Sequence, residues 1–215
     1  MPALPPKIRH GHTPKKEEEQ CQPINDYGKT KLLGEQAVKE ALVGVPYVII
    51  RPPNVLGPRE KELYSVLKLL KKRIKPLLGN GDNQTSICFV QDLVRAIFMA
   101  AQNKRTVGKT YFITDGKTYS WRKIAEVLCR ELGMRGFILP IPYPALLGIA
   151  LLVETCAHII GKTPFITRKK IMQIRHTYWT YDGTKAEKDF RFKPLLSLTE
   201  GIKLTVNWYK KEGLV

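Results

Sequence analysis

Apolar positions recur at helical spacing soon after the N-terminal segment. Between Asp26 and Gly44 they repeat every three or four positions, which predicts an amphipathic helix that Asn25 or Asp26 caps and Gly44 ends. The stripe consists of Leu32, Leu33, Ala37, Val38, Ala41 and Leu42. Residues 45–51 follow as a short apolar run rich in Val and Ile, which is typical of a strand buried on both faces. A helix, a tight turn and a buried strand in succession indicate α/β architecture.

The same alternation of strands and helices continues along the chain. Ser120 is placed to cap a helix that Gly133 ends, and Ser197 with Glu200 forms a capping box for the last helix. The predicted helices cover residues 60–72, 92–102, 120–133 and about 198–211. The predicted strands cover residues 76–78, 86–90, 109–114 and 137–141, with a turn at 79–82. This order again predicts an α/β fold.

One stretch in the last third of the chain is strongly apolar. It covers residues 134–161. Its later part, residues 145–160, is shorter than the roughly 20 residues that span a bilayer, and it contains Glu154 and His158. We therefore predict a buried or interfacial helix. Four Lys and Arg residues follow between positions 162 and 170. Attachment to a membrane surface therefore stays open beside a role as the wall of a substrate pocket.

The charge balance favours anionic partners. The 215 residues include 36 Lys and Arg against 19 Asp and Glu, a net charge of +17. The four cysteines, at positions 21, 88, 129 and 156, form no C-x-x-C pair, which favours reduced thiols in the cytoplasm over a zinc site or a disulfide framework. His10 and His12 have no Cys or carboxylate cluster beside them to complete a metal shell. The basic residues 68–75 have no interleaved aromatics, so nucleic-acid binding is only a minor alternative.

One pair of residues suggests chemistry at the start of the first predicted helix. Tyr27 and Lys31 are four positions apart, so their side chains share one helix face. A phenol has an ordinary pKa of about 10, and an ammonium group a few ångströms away favours the phenolate. Such a pair suits proton exchange with an alcohol or a ketone. The spacing alone is weak, since Tyr and Lys meet in this way on many surface helices.

Further motifs follow this pair in order along the chain. Residues 23–35 read PINDYGKTKLLGE, residues 51–59 read RPPNVLGPR, residues 79–82 read GNGD and residues 89–93 read FVQDL. Together they resemble the extended short-chain dehydrogenase/reductase family, the NAD-dependent epimerase/dehydratase group, over nearly the whole chain. The resemblance implies the C-terminal part of a Rossmann-type parallel sheet with a smaller, mostly helical substrate domain. We expect an irregular segment at 1–24, a partial Rossmann-type core with interleaved substrate-domain segments at 25–135, and a mostly helical substrate-binding region at 136–215.

The resemblance also implies roles for single residues. Tyr27 matches the catalytic acid/base of the family. Lys31 matches the lysine that keeps this tyrosine reactive and hydrogen-bonds the nicotinamide ribose of NAD or NADP. Pro52 and Pro53 match backbone that packs on the nicotinamide end of the cofactor. Asn54 matches a position that contacts substrate in sugar-nucleotide members.

The sequence departs from the family pattern at several points. No Gly-rich turn for the pyrophosphate precedes Tyr27, and the residue that would choose between NAD and NADP is missing with it. Thr13 is the only hydroxyl residue before Tyr27, and it is not where the family places its catalytic Ser or Thr. We therefore expect a partial cofactor site in an N-terminally truncated enzyme. Asp92 matches an acidic residue at a helix start, for which we expect a structural cap.

The expected substrate is an apolar alcohol or ketone. Nucleotide-sugar members usually carry a diphosphate-binding arginine where this chain has Thr85, which we include among the substrate-binding residues. The closing part of the chain resembles the sterol/steroid dehydrogenase and flavonol-reductase branches. The expected function is thus an NAD(P)-dependent oxidoreductase or epimerase, incomplete as given. The alternative is a non-catalytic scaffold subunit, because half a parallel sheet leaves an open edge that invites a second copy or a partner chain.

Overall fold

The architecture comes from a computed structural model that describes residues 13–23, 26–60, 63–64, 66–67, 75–79, 81–134, 138–161, 164, 167–168, 171 and 178–214. The α-helices whose bounds lie within the described residues are α1 (Asp26–Ala41), α2 (Val90–Ala101), α3 (Trp121–Glu131), α4 (Tyr143–Ile159), α5 (Thr184–Phe190) and α6 (Leu198–Lys211). The strands are β1 (Ile49–Arg51), β2 (Asn54–Leu56), β3 (Lys75–Leu78), β4 (Gln84–Phe89), β5 (Thr110–Phe112), β6 (Thr118–Ser120) and β7 (Ile138–Ile141).

The strands pair mainly in parallel. β1 pairs with β5, from Ile49 opposite Thr110 to Arg51 opposite Phe112. β2 pairs in parallel with β4, and β6 joins the other side of β4 in the antiparallel direction. β3 and β7 form a further parallel pair. Parallel neighbours need crossover connections, and helices supply them here. The predicted α/β class is confirmed.

The main core lies between β4, α3 and α6. Ile87 and Phe89 of β4 are fully buried there together with Ile202 of α6. Gly201 permits the close approach of α6, because a Cβ at this position would lie 2.3 Å from the Phe89 ring. The other buried members are Leu63, Leu67, Ile124, Val127, Leu128, Cys129, Leu198, Val206 and Tyr209. Residues on both sides of position 135 thus share one core, and the division into domains stays a prediction.

A second core joins β5 to α2 and α5. Tyr111 and Ile113 are buried against Phe190 of α5, whose ring meets the Tyr111 ring edge-on at 5.1 Å between centroids. The Tyr111 hydroxyl donates to Asp189 at 2.7 Å, and the Lys109 Nζ donates to the same carboxylate oxygen at 2.8 Å. Apolar packing and charged hydrogen bonds therefore both hold α5 on the sheet.

Local capping signals place several helix ends where the sequence predicts them. The Ser120 hydroxyl accepts a hydrogen bond from the Lys123 amide at 3.1 Å, and α3 ends just before Gly133, whose φ is 68°. Ser197 and Glu200 form both halves of the capping box, and α6 begins at Leu198. These boundaries are confirmed because each depends on residues within one turn of the helix end.

Asp92 does not cap its own helix. Its carboxylate accepts hydrogen bonds from the Leu195 and Leu196 amides at 3.0 to 3.1 Å and pairs with Arg95 at 2.9 Å. The expectation of a structural role holds, but the expected cap is wrong. Asp92 instead holds the segment that follows α5, a long-range contact that local spacing does not show.

The strand predicted at residues 45–51 is shorter in the structure. The strand itself covers Ile49–Arg51, while Val45 is exposed. Pro46 has no amide hydrogen to donate to a neighbouring strand, which explains the late start. The helix predicted at 60–72 is seen at Leu63, Tyr64, Val66 and Leu67, and its remaining interior positions lie outside the described residues.

The apolar stretch forms α4. Leu146 and Ala150 are buried on its inner side together with Ile171. Within the described ranges, none of the helices combines the length and the apolar character needed to cross a membrane.

Candidate active site

Tyr27 and Lys31 lie on one face of α1, as their spacing predicts. The Lys31 Nζ lies 5.4 Å from the centroid of the Tyr27 ring. Tyr27 is 50% exposed and Lys31 is exposed as well. The Tyr27 carbonyl accepts a hydrogen bond from the Thr30 hydroxyl at 2.8 Å, and Gly28 is buried. A phenol and an ammonium group are therefore neighbours at an accessible position on the first turns of the helix.

Lys29, the other lysine near Tyr27, has different neighbours. The Lys29 Nζ lies 3.8 Å from a carboxylate oxygen of Asp26, and both side chains are well exposed. Two lysines thus follow Tyr27 within four positions, but the ammonium group over the phenol ring is that of Lys31.

An ion pair joins α1 to β1. The Arg51 Nε and Nη2 donate to the two carboxylate oxygens of Glu35 at 2.9 and 2.6 Å. Only 7% of the Arg51 side chain and 15% of the Glu35 side chain are exposed. Burial works against the charge of the guanidinium, but the hydrogen bonds and the negative charge of Glu35 raise the pKa of Arg51 above its ordinary value. The guanidinium is therefore charged, and the ion pair holds α1 against the end of β1.

Sequence reasoning missed this pair although a signal was present. Glu35 lies four positions after Lys31 and eight after Tyr27, so all three share a helix face. Arg51 opens the RPPN motif in the strand that follows the helix. A buried arginine needs a carboxylate, and Glu35 was available to supply it on the helix face that carries Tyr27 and Lys31.

Pro52 and Pro53 separate β1 from β2. Pro52 is half-buried and Pro53 is buried. Because neither residue has an amide hydrogen to donate, the backbone hydrogen bonds of the sheet are interrupted between β1 and β2. Asn54 then opens β2, where its Nδ2 donates to the Thr85 hydroxyl at 2.6 Å.

Thr85 lies inside β4 and is fully buried. Its hydroxyl also donates to the Ser86 carbonyl at 3.2 Å, and its backbone lies beside Trp179 in an isolated parallel bridge. Thr85 is therefore buried behind Asn54. The substrate-binding roles of Asn54 and Thr85 stay predictions.

The candidate residues are linked through the sheet. The Glu35–Arg51 pair connects the helix that carries Tyr27 and Lys31 to β1, Pro52 and Pro53 continue from β1, and Asn54 follows. In parallel sheets ligands bind beyond the carboxyl ends of strands, and Pro52 and Pro53 lie at that end of β1. Pro52 and Pro53 therefore follow the strand to which the Glu35–Arg51 pair ties α1, the helix that carries Tyr27 and Lys31.

The other candidate groups are histidines and cysteines. His10 and His12 lie outside the described residues. Among the residues that the structure describes, no three or more His, Cys, Asp or Glu side chains form a group that could hold a metal ion. All four cysteines are free. Burial, with the charges of Asp92 and Asp115, raises the pKa of the Cys88 thiol to about 12. That thiol is a packed, unreactive group.

Comparison with known proteins agrees with this architecture. Parallel strands with helical crossovers define a Rossmann-type α/β protein, and residues 6–114 match the NAD dependent epimerase/dehydratase family. The chain belongs to this family.

Individual relatives extend the match. The uncharacterized protein YbjS of Escherichia coli is 26% identical over 197 residues, which cover 88% of this chain and 58% of YbjS. Sterol-4-alpha-carboxylate 3-dehydrogenase ERG26, decarboxylating, of Candida albicans is 29% identical over 205 residues, covering 88% of this chain and 57% of that protein. The chain thus spans little more than half the length of these relatives.

Solved structures show the same fold. The UDP-glucuronic acid 4-epimerase of Bacillus cereus, solved with UDP-glucuronic acid and NAD, superposes with a TM-score of 0.70 at 19% identity. The superposition covers 98% of this chain and 60% of the epimerase.

Proposed function

We propose that this chain carries the proton-transfer half of an NAD(P)-dependent oxidoreductase or epimerase that acts on an alcohol/ketone pair. The single observation that supports it is the accessible Tyr27 phenol with the Lys31 Nζ 5.4 Å from its ring centroid. In the proposed reaction the Tyr27 hydroxyl exchanges a proton with the substrate oxygen, and Lys31 stabilises the negative charge that this exchange leaves on the phenol.

Lys31, Pro52 and Pro53 suit the nicotinamide end of a dinucleotide. The exposed Lys31 ammonium is available to donate to ribose hydroxyls, and the half-buried Pro52 lies with the buried Pro53 at the carboxyl end of β1. A bound nicotinamide supplies the hydride exchange at carbon. Before Tyr27 the sequence has no Gly-rich turn for the pyrophosphate, so these positions account for a partial site and do not choose between NAD and NADP.

The proposal also specifies the chemical class of the substrate, which is apolar. Thr85 and Ser86 are both buried and neutral where an arginine would bind a diphosphate. The Candida albicans relative is named as a sterol-4-alpha-carboxylate 3-dehydrogenase. Both observations favour an apolar alcohol or ketone over a nucleotide sugar. The four free thiols suit a reducing compartment, and we place the protein in the cytoplasm.

Nucleotide titration and turnover test the proposal. Because the site is partial, we expect weak but saturable enhancement of NADH or NADPH fluorescence, and a slow absorbance change at the nicotinamide band when an apolar secondary alcohol is added with NAD⁺ or NADP⁺. Tyr27→Phe is expected to abolish turnover and leave nucleotide binding nearly unchanged, whereas Lys31→Met weakens both. Lys29→Met is the matched control, because Lys29 is equally close in sequence but lies beside Asp26. Equal losses for the two lysine variants would contradict the assignment of Lys31.

A scaffold subunit is the second candidate. Among the described strands β1 has β5 as its only partner, which leaves one edge available for strand addition by another chain or a second copy. The same titration separates the two candidates. No nucleotide binding, together with a stable hetero-complex or homodimer on gel filtration, would favour the scaffold.

A further inference from the structure

A thiol, a guanidinium and a phenol meet beside the buried ring of Phe112. The Phe112 and Tyr181 rings pack with 4.7 Å between their centroids. The Cys21 side chain packs against the same cluster, and the Arg51 guanidinium lies 6.0 Å from the centroid of the Phe112 ring. Only 6% of Arg51 and 4% of Tyr181 are exposed, whereas Cys21 is half-buried. Of these three groups, the thiol is therefore the one that solvent reaches.

Two buried hydrogen-bond donors of this cluster have no acceptor. Among the residues that the structure describes, neither the Arg51 Nη1 nor the Tyr181 hydroxyl has a hydrogen-bond partner. The Arg51 Nε and Nη2 are both used by Glu35. Burial and the negative charge of Cys21 raise the pKa of Tyr181 above its ordinary value, against the opposing charge of Arg51, so the phenol stays protonated. Because unpaired buried donors cost free energy, the two groups point to an acceptor that binds between them.

The surroundings of Cys21 are those of a reactive thiol. Burial lowers the pKa of Arg51, but Glu35 and then the Cys21 sulfur raise it, and the guanidinium stays charged. Reactive cysteines lie in partly exposed positions beside a cation, because the thiolate is the nucleophile. Cys21 meets both conditions, whereas Cys88 and Cys129 are buried. A negatively charged oxygen attached to the Cys21 sulfur would be the acceptor that the two unpaired donors lack.

We propose that Cys21 is a site of reversible oxidation by hydrogen peroxide, at which the Arg51 Nη1 and the Tyr181 hydroxyl bind the oxygen that the sulfur gains. The Cys21 thiolate attacks one peroxide oxygen, so that an S–O bond forms as the O–O bond breaks. Sulfur is oxidised by two electrons, and the departing hydroxide takes the proton of the transferred oxygen and leaves as water. The product is a sulfenate, which thiols reduce again. This inference goes beyond the proposed function and does not depend on it.

Trapping with dimedone, which reacts with sulfenic acids, tests the proposal on the full chain. Hydrogen peroxide and dimedone are added together, and peptide mass mapping measures the adduct at each cysteine. The adduct at Cys21 is expected to form about tenfold faster than at Cys156, although Cys156 is the more exposed thiol. Iodoacetamide is larger than hydrogen peroxide and is expected to label Cys156 first, so the two reagents should give opposite orders. Equal or faster adduct formation at Cys156 would overturn the proposal.

Tyr181→Phe tests whether the phenol binds the transferred oxygen. The variant keeps the ring and loses a buried hydroxyl that has no partner among the described residues, so it is expected to fold. Adduct formation at Cys21 should slow by about tenfold, since a hydrogen bond to a charged oxygen is lost, while iodoacetamide labelling of Cys21 stays unchanged. Tyr111→Phe is the matched control, because its hydroxyl bonds Asp189 in the second core. An unchanged rate in Tyr181→Phe, or equal slowing in Tyr111→Phe, would overturn the proposal.

Discussion

Glu35 accepts two hydrogen bonds from Arg51, at 2.9 and 2.6 Å, across the boundary between α1 and β1. The same helix face carries Lys31 and Tyr27 one and two turns earlier. The guanidinium also lies 6.0 Å from the centroid of the Phe112 ring in β5. One buried ion pair thus fastens the helix with the candidate acid/base to both strands of the β1–β5 pair.

Removing one partner of this ion pair is expected to destabilise the fold strongly. Arg51→Met leaves the mostly buried Glu35 carboxylate without its cation, for which we expect a loss of about 3–5 kcal/mol in the free energy of unfolding. Urea denaturation measures it. The matched control is Glu18→Gln, which breaks the exposed Lys185–Glu18 pair and is expected to cost about 0–1 kcal/mol. Similar losses for both variants would show that burial does not increase the contribution of the Glu35–Arg51 pair to the free energy of unfolding.

Gly201 is expected to tolerate no larger side chain. The Cβ of Gly201→Ala would lie 2.3 Å from the fully buried Phe89 ring, so overpacking is expected to cost about 1–3 kcal/mol. Gly148→Ala in α4 is the control, because a Cβ there meets nothing within 4 Å. Thermal unfolding of the two variants should therefore shift in opposite directions, down for Gly201→Ala and slightly up for Gly148→Ala, since alanine favours a helix.

Asp189 is expected to contribute acid sensitivity. Hydrogen bonds from Lys109 and Tyr111 hold the pKa of Asp189 below its ordinary value of 3.8. A carboxyl whose pKa is lower in the folded than in the unfolded protein stabilises the fold above its unfolded pKa, and this stability is lost as the pH falls through the folded value. The unfolding free energy of the native chain should therefore fall more steeply below a pH of about 4 than that of Asp189→Asn. Parallel pH profiles for the two proteins would contradict this prediction.

The cysteines are expected to differ in reactivity. With a pKa of about 12 and nearly complete burial, the Cys88 thiol should stay protonated and inaccessible in the folded protein. Cys156 is exposed and should react with iodoacetamide first. Peptide mass mapping after brief alkylation measures the order, and alkylation in urea provides the control in which both thiols react. Labelling of Cys88 before Cys156 in the native chain would contradict the burial of β4.

Much of the local structure could be predicted from the sequence. The capping box at Ser197, the end of α3 before Gly133 and the shared face of Tyr27 and Lys31 all follow from residues within about one helical turn of each other. Local hydrogen bonds and the 3.6-residue period are enough to decide such features. The strand at 45–51 was predicted too long because its apolar composition hid the effect of Pro46.

Taken by itself, the sequence determined the α/β class, several helix ends and the acid/base candidate, because short-range spacing controls each of them. Only the tertiary structure decided that Glu35 holds Arg51, that Asp92 binds the Leu195 amide 103 positions away, and that Thr85 lies buried behind Asn54. These contacts join segments far apart in the chain, and a buried charge or hydroxyl acquires its partner only when the fold brings the two together. Periodicity shows which face of a helix or strand is apolar, whereas tertiary packing determines which residues contact that face.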